Sequence, residues 1–393
     1  MPTKLASQAG GSLQPAGKVT FQRRAARPAG EADPTFTLRA PSDAVLARIL
    51  ASDTYSAAMA FIRGEFDVDG DLCAAIRFKG WEPRARLRAQ VLAVIARCAT
   101  ALQCIFQNKA QSVRHIRFHY DRPNGFYRLF LDSRMVYSCA YFRTPEATLE
   151  EAQLAKLDHI CRKLDLTRGE RFLDLGCGWG ALAKHAAAGY GVRATGCTNS
   201  RAQFEFASRH ADGQVRILEQ DYRDLSGCFD KISSVGMFEH VGRRRAPQYF
   251  RKVATLLAPG GLFLNHTIAR PQGAGDDAAS LFVRRQIFPG GELMHLQEIV
   301  GAAEEAGFEV LDVENLRPHY ARTCRWWEQT LAANHEPARR FVDERTYRAW
   351  RLWLAASAVS FEDGFTSIYQ ILLSRRGSHS RRLTRDYMYA SAR

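Results

Sequence analysis

From about residue 148 the chain alternates two hydrophobic rhythms. Thr148-Leu-Glu-Glu-Ala-Gln-Leu-Ala-Lys-Leu-Asp-His-Ile-Cys-Arg-Lys-Leu164 repeats apolar residues at helical spacing, with Thr148 as N-cap and Glu151 at the capping-box position, and predicts a helix. Short apolar runs follow, separated by helical stretches. Phe172-Leu-Asp-Leu175, Gly191–Cys197, Val215–Leu218, Phe229–Val235 and Gly260–His266 read as five strands. Regular strand–helix alternation predicts an α/β fold with a parallel sheet and right-handed crossovers. Ligands of such sheets sit at the strands' carboxyl ends. Asp174, Thr198, Asp221, Glu239 and His266 all fall at that edge, so one pocket would gather them.

The flanking segments read differently. Residues 1–34 hold few large apolar residues among Ala, Gly, Pro and Arg, and predict a disordered basic tail. Residues 35–120 predict a smaller, mainly helical N-terminal domain. It starts with a strand at Phe36–Arg39 and a helix from Asp43 to Leu50, and has a short strand ending at Gly70. Pro83–Cys104 patterns as an amphipathic basic helix, suited to a membrane interface or to packing on its own domain. Gln107–Tyr120 reads as a basic linker and Phe126–Leu131 as helical. Residues 121–393 would form the larger domain. Within it, an insertion at about 270–298 with Phe288-Pro-Gly-Gly291 reads as a lid over the pocket. Tyr320–Glu328 reads as a helix with an aromatic face, Phe361–Leu373 as a closing hairpin strand, and Ser374–Arg393 as an exposed basic tail. The acids of Glu65–Asp71 lack the length and the final Glu of a calcium loop, so no metal site is predicted.

Composition narrows the setting. The 393 residues suffice for two or three domains. No run reaches the roughly 18 apolar residues of a membrane span, and the start lacks a secretory apolar region. Nine cysteines are scattered with no C-x-x-C pair, which argues for reduced thiols in a cytosol. The net charge of +14 favours a polyanionic partner, either nucleic acid or an anionic membrane surface.

The chemistry centres on Phe172-Leu-Asp-Leu-Gly-Cys-Gly-Trp-Gly180, a strand, a glycine turn and the start of a helix. Gly176, Gly178 and Gly180 permit a tight turn and close backbone approach of a ligand. The following helix offers free N–H groups and a positive dipole end. Asp174 adds a carboxylate. Such a site suits a nucleoside with an amino-acid tail, its ammonium on the acid and its carboxylate on the amides. No Gly-Lys-Ser/Thr follows, which excludes a P-loop. Gly180 comes too soon after Gly178 for the dinucleotide fingerprint. Spacing alone leaves the ligand open.

The same stretch resembles motif I of class I S-adenosylmethionine (SAM) methyltransferases. Tyr137-Ser-Cys-Ala-Tyr-Phe142, Thr148–Lys156, Ser234-Val-Gly-Met-Phe-Glu-His-Val-Gly242, Phe288-Pro-Gly-Gly291 and His319-Tyr-Ala-Arg-Thr323 extend the likeness. In this order they resemble cyclopropane-fatty-acyl-phospholipid synthases and the related mycolic acid cyclopropane synthases, over roughly Phe126 to Leu373. The resemblance implies a Rossmann-like, mostly parallel seven-stranded sheet. It also implies transfer of a methylene from SAM to a cis double bond of a phospholipid acyl chain. A carbocation forms and loses a proton to bound bicarbonate as the cyclopropane closes.

The family's bicarbonate cage carries over to Cys139, Glu239, His266, Ile268 and Tyr320. Its SAM contacts carry over to Tyr137, Ser138, Asp174, Gly176, Cys177, Gly178, Trp179, Gly180, Thr198, Asn199, Ser200, Gln203, Asp221 and Phe238. No ribose acid ends the second strand, so Gln203 is the expected ribose partner. Asn199 stands where Leu is common, Ala269 where Gly is, and Met294-His295 where Pro-Ser is, which bears on lid and acyl specificity. The implied setting is peripheral, at the cytoplasmic face of the inner membrane, with the 35–120 domain docking on phospholipid, and a homodimer.

Two other readings use the same residues. A relative that methylates the alkene without closing a ring would carry the same motifs. The charge also suits an RNA methyltransferase, but Gly236-Met-Phe-Glu239 replaces an N-P-P-Y-type motif and no nucleic-acid module is present, so no nucleic acid is expected as a partner. Taken singly, Cys139 reads as a buried thiol, His266 as a core histidine, and Tyr320 as a core aromatic. Their convergence on one sheet edge carries the functional reading.

Overall fold

The computed structural model describes residues 12–14, 18–22, 35–78, 90–92, 94–95, 98, 108–211, 213–274, 277–378 and 382–389. An antiparallel sheet comes first, in the spatial order β1 (Ser12–Gln14), β2 (Lys18–Gln22), β3 (Thr35–Arg39) and β4 (Asp67–Gly70). The composition of residues 1–34 therefore misleads for β1 and β2. Backbone pairing onto the apolar strand β3 orders residues that have little core of their own. The helices Asp43–Leu50, Thr54–Ile62 and Leu72–Ile76 follow, capped by Ser42, Asp53 and Asp71.

The central sheet is built from β5 (Arg171–Leu175), β6 (Arg193–Thr198), β7 (Val215–Glu219), β8 (Phe229–Val235), β9 (Leu257–Arg270), β10 (Met294–His295), β11 (Phe308–Asn315) and β12 (Ser367–Arg375). Seven strands run in the order β11-β12-β9-β8-β5-β6-β7, and the two residues of β10 pair beside β9. The five strands read from the apolar runs are mutually parallel where they pair, as the strand–helix alternation predicts. β12 pairs antiparallel to both β9 and β11. The chain order reverses between β5 and β8, which opens a crevice at the carboxyl ends.

Several elements differ from the sequence expectation. Gln107–Tyr120 is not a linker: Lys109–Tyr120 is a helix closed by a capping box between Asn108 and Gln111. Its polar composition hides a face that is buried only in the folded molecule. Phe361 ends the long helix Glu344–Glu362, and the strand begins at Ser367. β12 is an internal strand and not the second arm of a two-strand hairpin. The C-terminal segment is not wholly exposed. Arg385 reaches Asp312 at 2.8 Å, and Met388 of the short helix Asp386–Tyr389 is buried in the core beside Leu157 and Leu372. Of the predicted helix Pro83–Cys104, residues 90–92, 94–95 and 98 are described and helical, and the rest lies outside the described residues.

The boundary drawn near residue 120 does not coincide with a gap in packing. One apolar cluster runs from Phe36, Phe61 and Leu72 through Phe126 and Tyr127 to Trp327 and Trp350. The N-terminal elements thus share a core with the helices Arg317–Ala333 and Glu344–Glu362. Ion pairs reinforce the junction, Arg77 to Asp363 at 2.7 Å and Arg348 to Asp67 at 2.5 Å. Two further clusters cover the sheet on opposite faces.

Candidate active site

β5 ends in a turn that only glycine makes without strain. Gly176, Gly178 and Gly180 have φ of +76°, +54° and +83°. A Cβ on Gly176 would lie 2.8 Å from Met237 Cγ. A Cβ on Gly178 would find Gln203 Nε2 as its nearest neighbour, 3.9 Å away, so this backbone faces open space. Gly180 starts the helix Ala181–Tyr190.

The turn floors a cleft holding about 1160 Å³ of empty space, its open mouth included. Tyr137, Ser138, Asp174, Gly176, Cys177, Gly178, Trp179, Thr198, Asn199, Gln203 and Asp221 line it, as the sequence placed them together. Gly180, Ser200 and Phe238 do not. Ser200 caps the helix Arg201–Arg209 and donates to Asp121 at 2.6 Å. Phe238 is buried against Tyr249 and Phe250. These three support the wall from behind.

The wall is electrostatically uneven. Burial pushes the Asp174 carboxyl up to about 6, against the hydrogen bond from Ser233 at 2.8 Å and the positive charge of Lys156. Asp221 goes the other way. Burial raises it, but two contacts from the Arg223 guanidinium at 2.7 Å outweigh burial and hold it below the usual carboxylate range. Asn199 adds a bond to Asp221 at 3.1 Å, and Thr198 donates to Gln203 at 2.9 Å.

None of the five cage candidates is among the residues lining this cleft. Glu239 Oε1 accepts from the Ile268 amide at 2.7 Å, while Oε2 is buried without a hydrogen-bond partner among the described residues. Burial pushes Glu239 up to about 7, against that amide and the Thr267 hydroxyl. Tyr320 is held well above its ordinary value by burial, and Cys139 and Glu239 lie within electrostatic reach of its hydroxyl. Cys139 is buried and its thiol is pushed up by burial, which makes it inert as a nucleophile. His266 is fully buried and held neutral by burial. Gln370 Nε2 lies 3.2 Å from its Nδ1, an arrangement that leaves Nε2 carrying the proton with no acceptor among the described residues. The structure thus joins Glu239 directly to Ile268 and brings Tyr320 near Cys139 and Glu239. No described hydrogen bond ties His266 to the other four.

Sequence reasoning missed part of the wall. Ser112, Ile116 and Tyr120 line the cleft from the helix Lys109–Tyr120, and their four-residue spacing puts them on one face. That spacing and the Asn108–Gln111 cap were the available signals. Tyr120 also lies 3.3 Å from His240 Nε2, another lining residue. Lys156 lines the cleft as well. The segment 270–298, read as a lid, contributes no described residue to the lining. Phe282 and Ile287 pack instead on Met59, Ile62 and Ala349, and Phe288 stacks on His119 with centroids 3.8 Å apart. The segment also backs the cleft wall: Phe288 lies 5.6 Å from the ring of His240, and the Glu292 amide donates to the Glu239 carbonyl at 3.0 Å.

Sheet order, glycine turn and cleft together define the fold of a class I SAM-dependent methyltransferase. Comparison with known proteins places it more closely. The family model described as mycolic acid cyclopropane synthetase matches residues 107–371. A probable fatty acid methyltransferase of Pseudomonas putida is 41% identical over 346 residues, covering 84% of this chain and 85% of that protein. The cyclopropane-fatty-acyl-phospholipid synthase of Escherichia coli K12 is 40% identical over 269 residues, 68% of this chain and 69% of that one. Among solved structures, mycolic acid cyclopropane synthase CmaA1 complexed with SAH and CTAB aligns with a TM-score of 0.63 at 33% identity, covering 66% of this chain and 97% of that one. The chain belongs to the mycolic acid cyclopropane synthetase family.

Proposed function

We propose that this protein transfers a methylene from SAM to the cis double bond of an unsaturated phospholipid acyl chain and closes a cyclopropane ring. The cleft residues fit SAM. The open backbone at Gly178 admits a flat ring system, Asp174 suits an ammonium, and Gln203 with Thr198 offers hydroxyl partners. Gly180, Ser200 and Phe238 would act by shaping this wall. SAM supplies the electrophilic methyl group when bound.

The observation that carries the reading is Glu239, a buried carboxyl with one oxygen anchored to Ile268 and the other without a hydrogen-bond partner among the described residues. A dry site protects a cationic carbon from water, and a fixed anion stabilises it. The protein's part is to exclude water, to place negative charge and to hold a proton acceptor. Bicarbonate, when bound, would supply the base. Glu239 Oε2 and the His266 Nε2 proton are a buried acceptor and donor that fit it, with Cys139, Ile268 and Tyr320 completing the enclosure.

We assign residues 35–120 to docking on a phospholipid surface at the cytoplasmic face of the inner membrane, with a homodimer as the working assembly. Val91, Val94 and Ile95 support the docking role: they are 49%, 53% and 42% exposed at one-face helical spacing. No described helix is long and apolar enough to cross a membrane. A second reading, alkene methylation without ring closure, is favoured by the name of the Pseudomonas putida relative.

Incubation with SAM and monounsaturated phospholipid vesicles, followed by mass spectrometry of the fatty methyl esters before and after dimethyl disulfide tagging of any remaining double bond, separates the readings. A gain of one CH₂ with no remaining double bond is expected. A gain with the double bond retained supports methylation alone. Methylated tRNA with unchanged lipid would sink both.

A further inference from the structure

Lys156 has no place in the cage or among the expected SAM contacts. It stands on the helix Leu149–Lys163, is 2% exposed and lines the cleft together with Ser138 and Asp174. Its Nζ donates to Ser138 Oγ at 2.7 Å, the one hydrogen bond it makes among the described residues. An ammonium carries three donors, so two are unspent.

No carboxylate among the described residues forms an ion pair with it. Asp132 accepts from the Val136 amide at 2.7 Å and the Arg134 amide at 3.3 Å, and Asp174 accepts from Ser233. Two turns along the same helix, the equally buried Lys163 is neutralised by Asp312 at 3.2 Å and Glu314 at 2.5 Å. The fold thus supplies counter-ions to one buried lysine and withholds them from the one that faces the cleft. A buried ammonium left unpaired is costly unless a ligand brings the opposite charge.

Ser138 takes the Nζ–H on its oxygen, so its own proton is free to be donated. Ammonium and hydroxyl side by side match the two oxygens of a carboxylate through charge-assisted bonds. The geometry points to Lys156 and Ser138 as the receptor for the amino-acid carboxylate of SAM, with Asp174 receiving the ammonium of the same tail. This rests on reading the cleft as the SAM site. It moves the carboxylate from the helix amides, where the motif alone put it, to a side-chain pair. Gln153 Nε2 holds the Ser138 carbonyl at 2.9 Å and fixes the loop that presents Ser138 to Lys156.

The test is calorimetric titration of the full-length protein with three ligands: SAH, decarboxylated SAH and 5′-methylthioadenosine, which lacks the amino-acid tail. Wild type should prefer SAH over its decarboxylated analogue by about 30-fold, the usual scale for a charge-assisted carboxylate contact. Lys156→Met, which removes charge and keeps length, should erase that preference and leave 5′-methylthioadenosine affinity unchanged. Loss of SAH and 5′-methylthioadenosine in equal measure, or no loss of either, overturns the inference while leaving the SAM site standing. If neither ligand binds wild type, the reading of the cleft falls with it. If Lys156→Met fails to fold, equal wild-type affinity for SAH and its decarboxylated analogue overturns the proposal, and the expected preference upholds it.

Discussion

At the residue scale the fold keeps two carboxyls protonated further into the neutral range than an unfolded chain would. Burial raises Glu239 from an ordinary 4.5 to about 7, and Asp174 from 3.8 to about 6. In the folded state Glu239 therefore holds a proton that the unfolded chain has released. Its presence costs stability as pH rises from 4.5 through 7, and the cost is fully developed above 7. The span corresponds to about 3 kcal/mol at most. Glu239→Gln should flatten the fall in unfolding free energy between pH 5 and pH 7.5, leaving the Asp174 contribution at the lower end. Denaturant titrations at the two pH values measure this, and an unchanged slope would show that Glu239 is ionised in the fold. The same variant should retain SAH binding and lose turnover by a factor of about 100 or more, the range expected when a proton-handling group is removed. The Glu239 carboxyl was placed at the sheet edge by the strand–helix alternation. Its solitary Oε2 was not legible, because it depends on Ile268, far along the chain, approaching from β9.

At the element scale the helix Leu149–Lys163 shows what local sequence can and cannot say. Its start was readable from Thr148 and Glu151, whose reciprocal bonds are present. Thr148→Ala should lower stability by about 1 kcal/mol through the lost cap, seen as a lower melting temperature with SAH affinity unchanged. Weakened SAH binding in this variant would mean that the cap also positions Lys156. The inward face of this helix was less readable. Gln153, Lys156, His159 and Lys163 are all buried on it, each partnered by residues distant in sequence. Binary patterning assigns such residues to solvent. The helix Lys109–Tyr120 was misread for the same reason, since basic residues on its outer face outweighed Ser112, Ile116 and Tyr120 on its inner one.

At the scale of the whole molecule, the chain is basic, and Val91, Val94 and Ile95 expose an apolar face in the N-terminal region. In the proposed docking role, the net charge of +14 and the exposed Val91, Val94 and Ile95 would combine electrostatic and apolar attraction to anionic lipid. Binding to anionic vesicles should weaken as salt is raised, because screening shortens to about 3 Å at 1 M. Val94→Asp should weaken it further, with the melting temperature unchanged because the residue is exposed. Sedimentation of vesicles measures both. Salt-independent binding, or full binding by Val94→Asp, would remove this face from the account. The shared core of Phe36, Phe61, Trp327 and Trp350 also packs the lining residues Tyr137 and Trp179, so the N-terminal elements and the cleft wall belong to one packed unit.

Periodicity and turn chemistry act within a few residues, so the chain by itself determined the parallel strands, the glycine turn, the capped helix at Thr148 and the residues at the carboxyl edge. Tertiary structure alone decided which polar groups would be buried and with what partners. That depends on contacts between segments far apart in sequence: Lys156 with Ser138, Glu239 with Ile268, His266 with Gln370, and the segment 270–298 with the N-terminal helices. A buried charge is set by what faces it across the fold, and no local pattern encodes that.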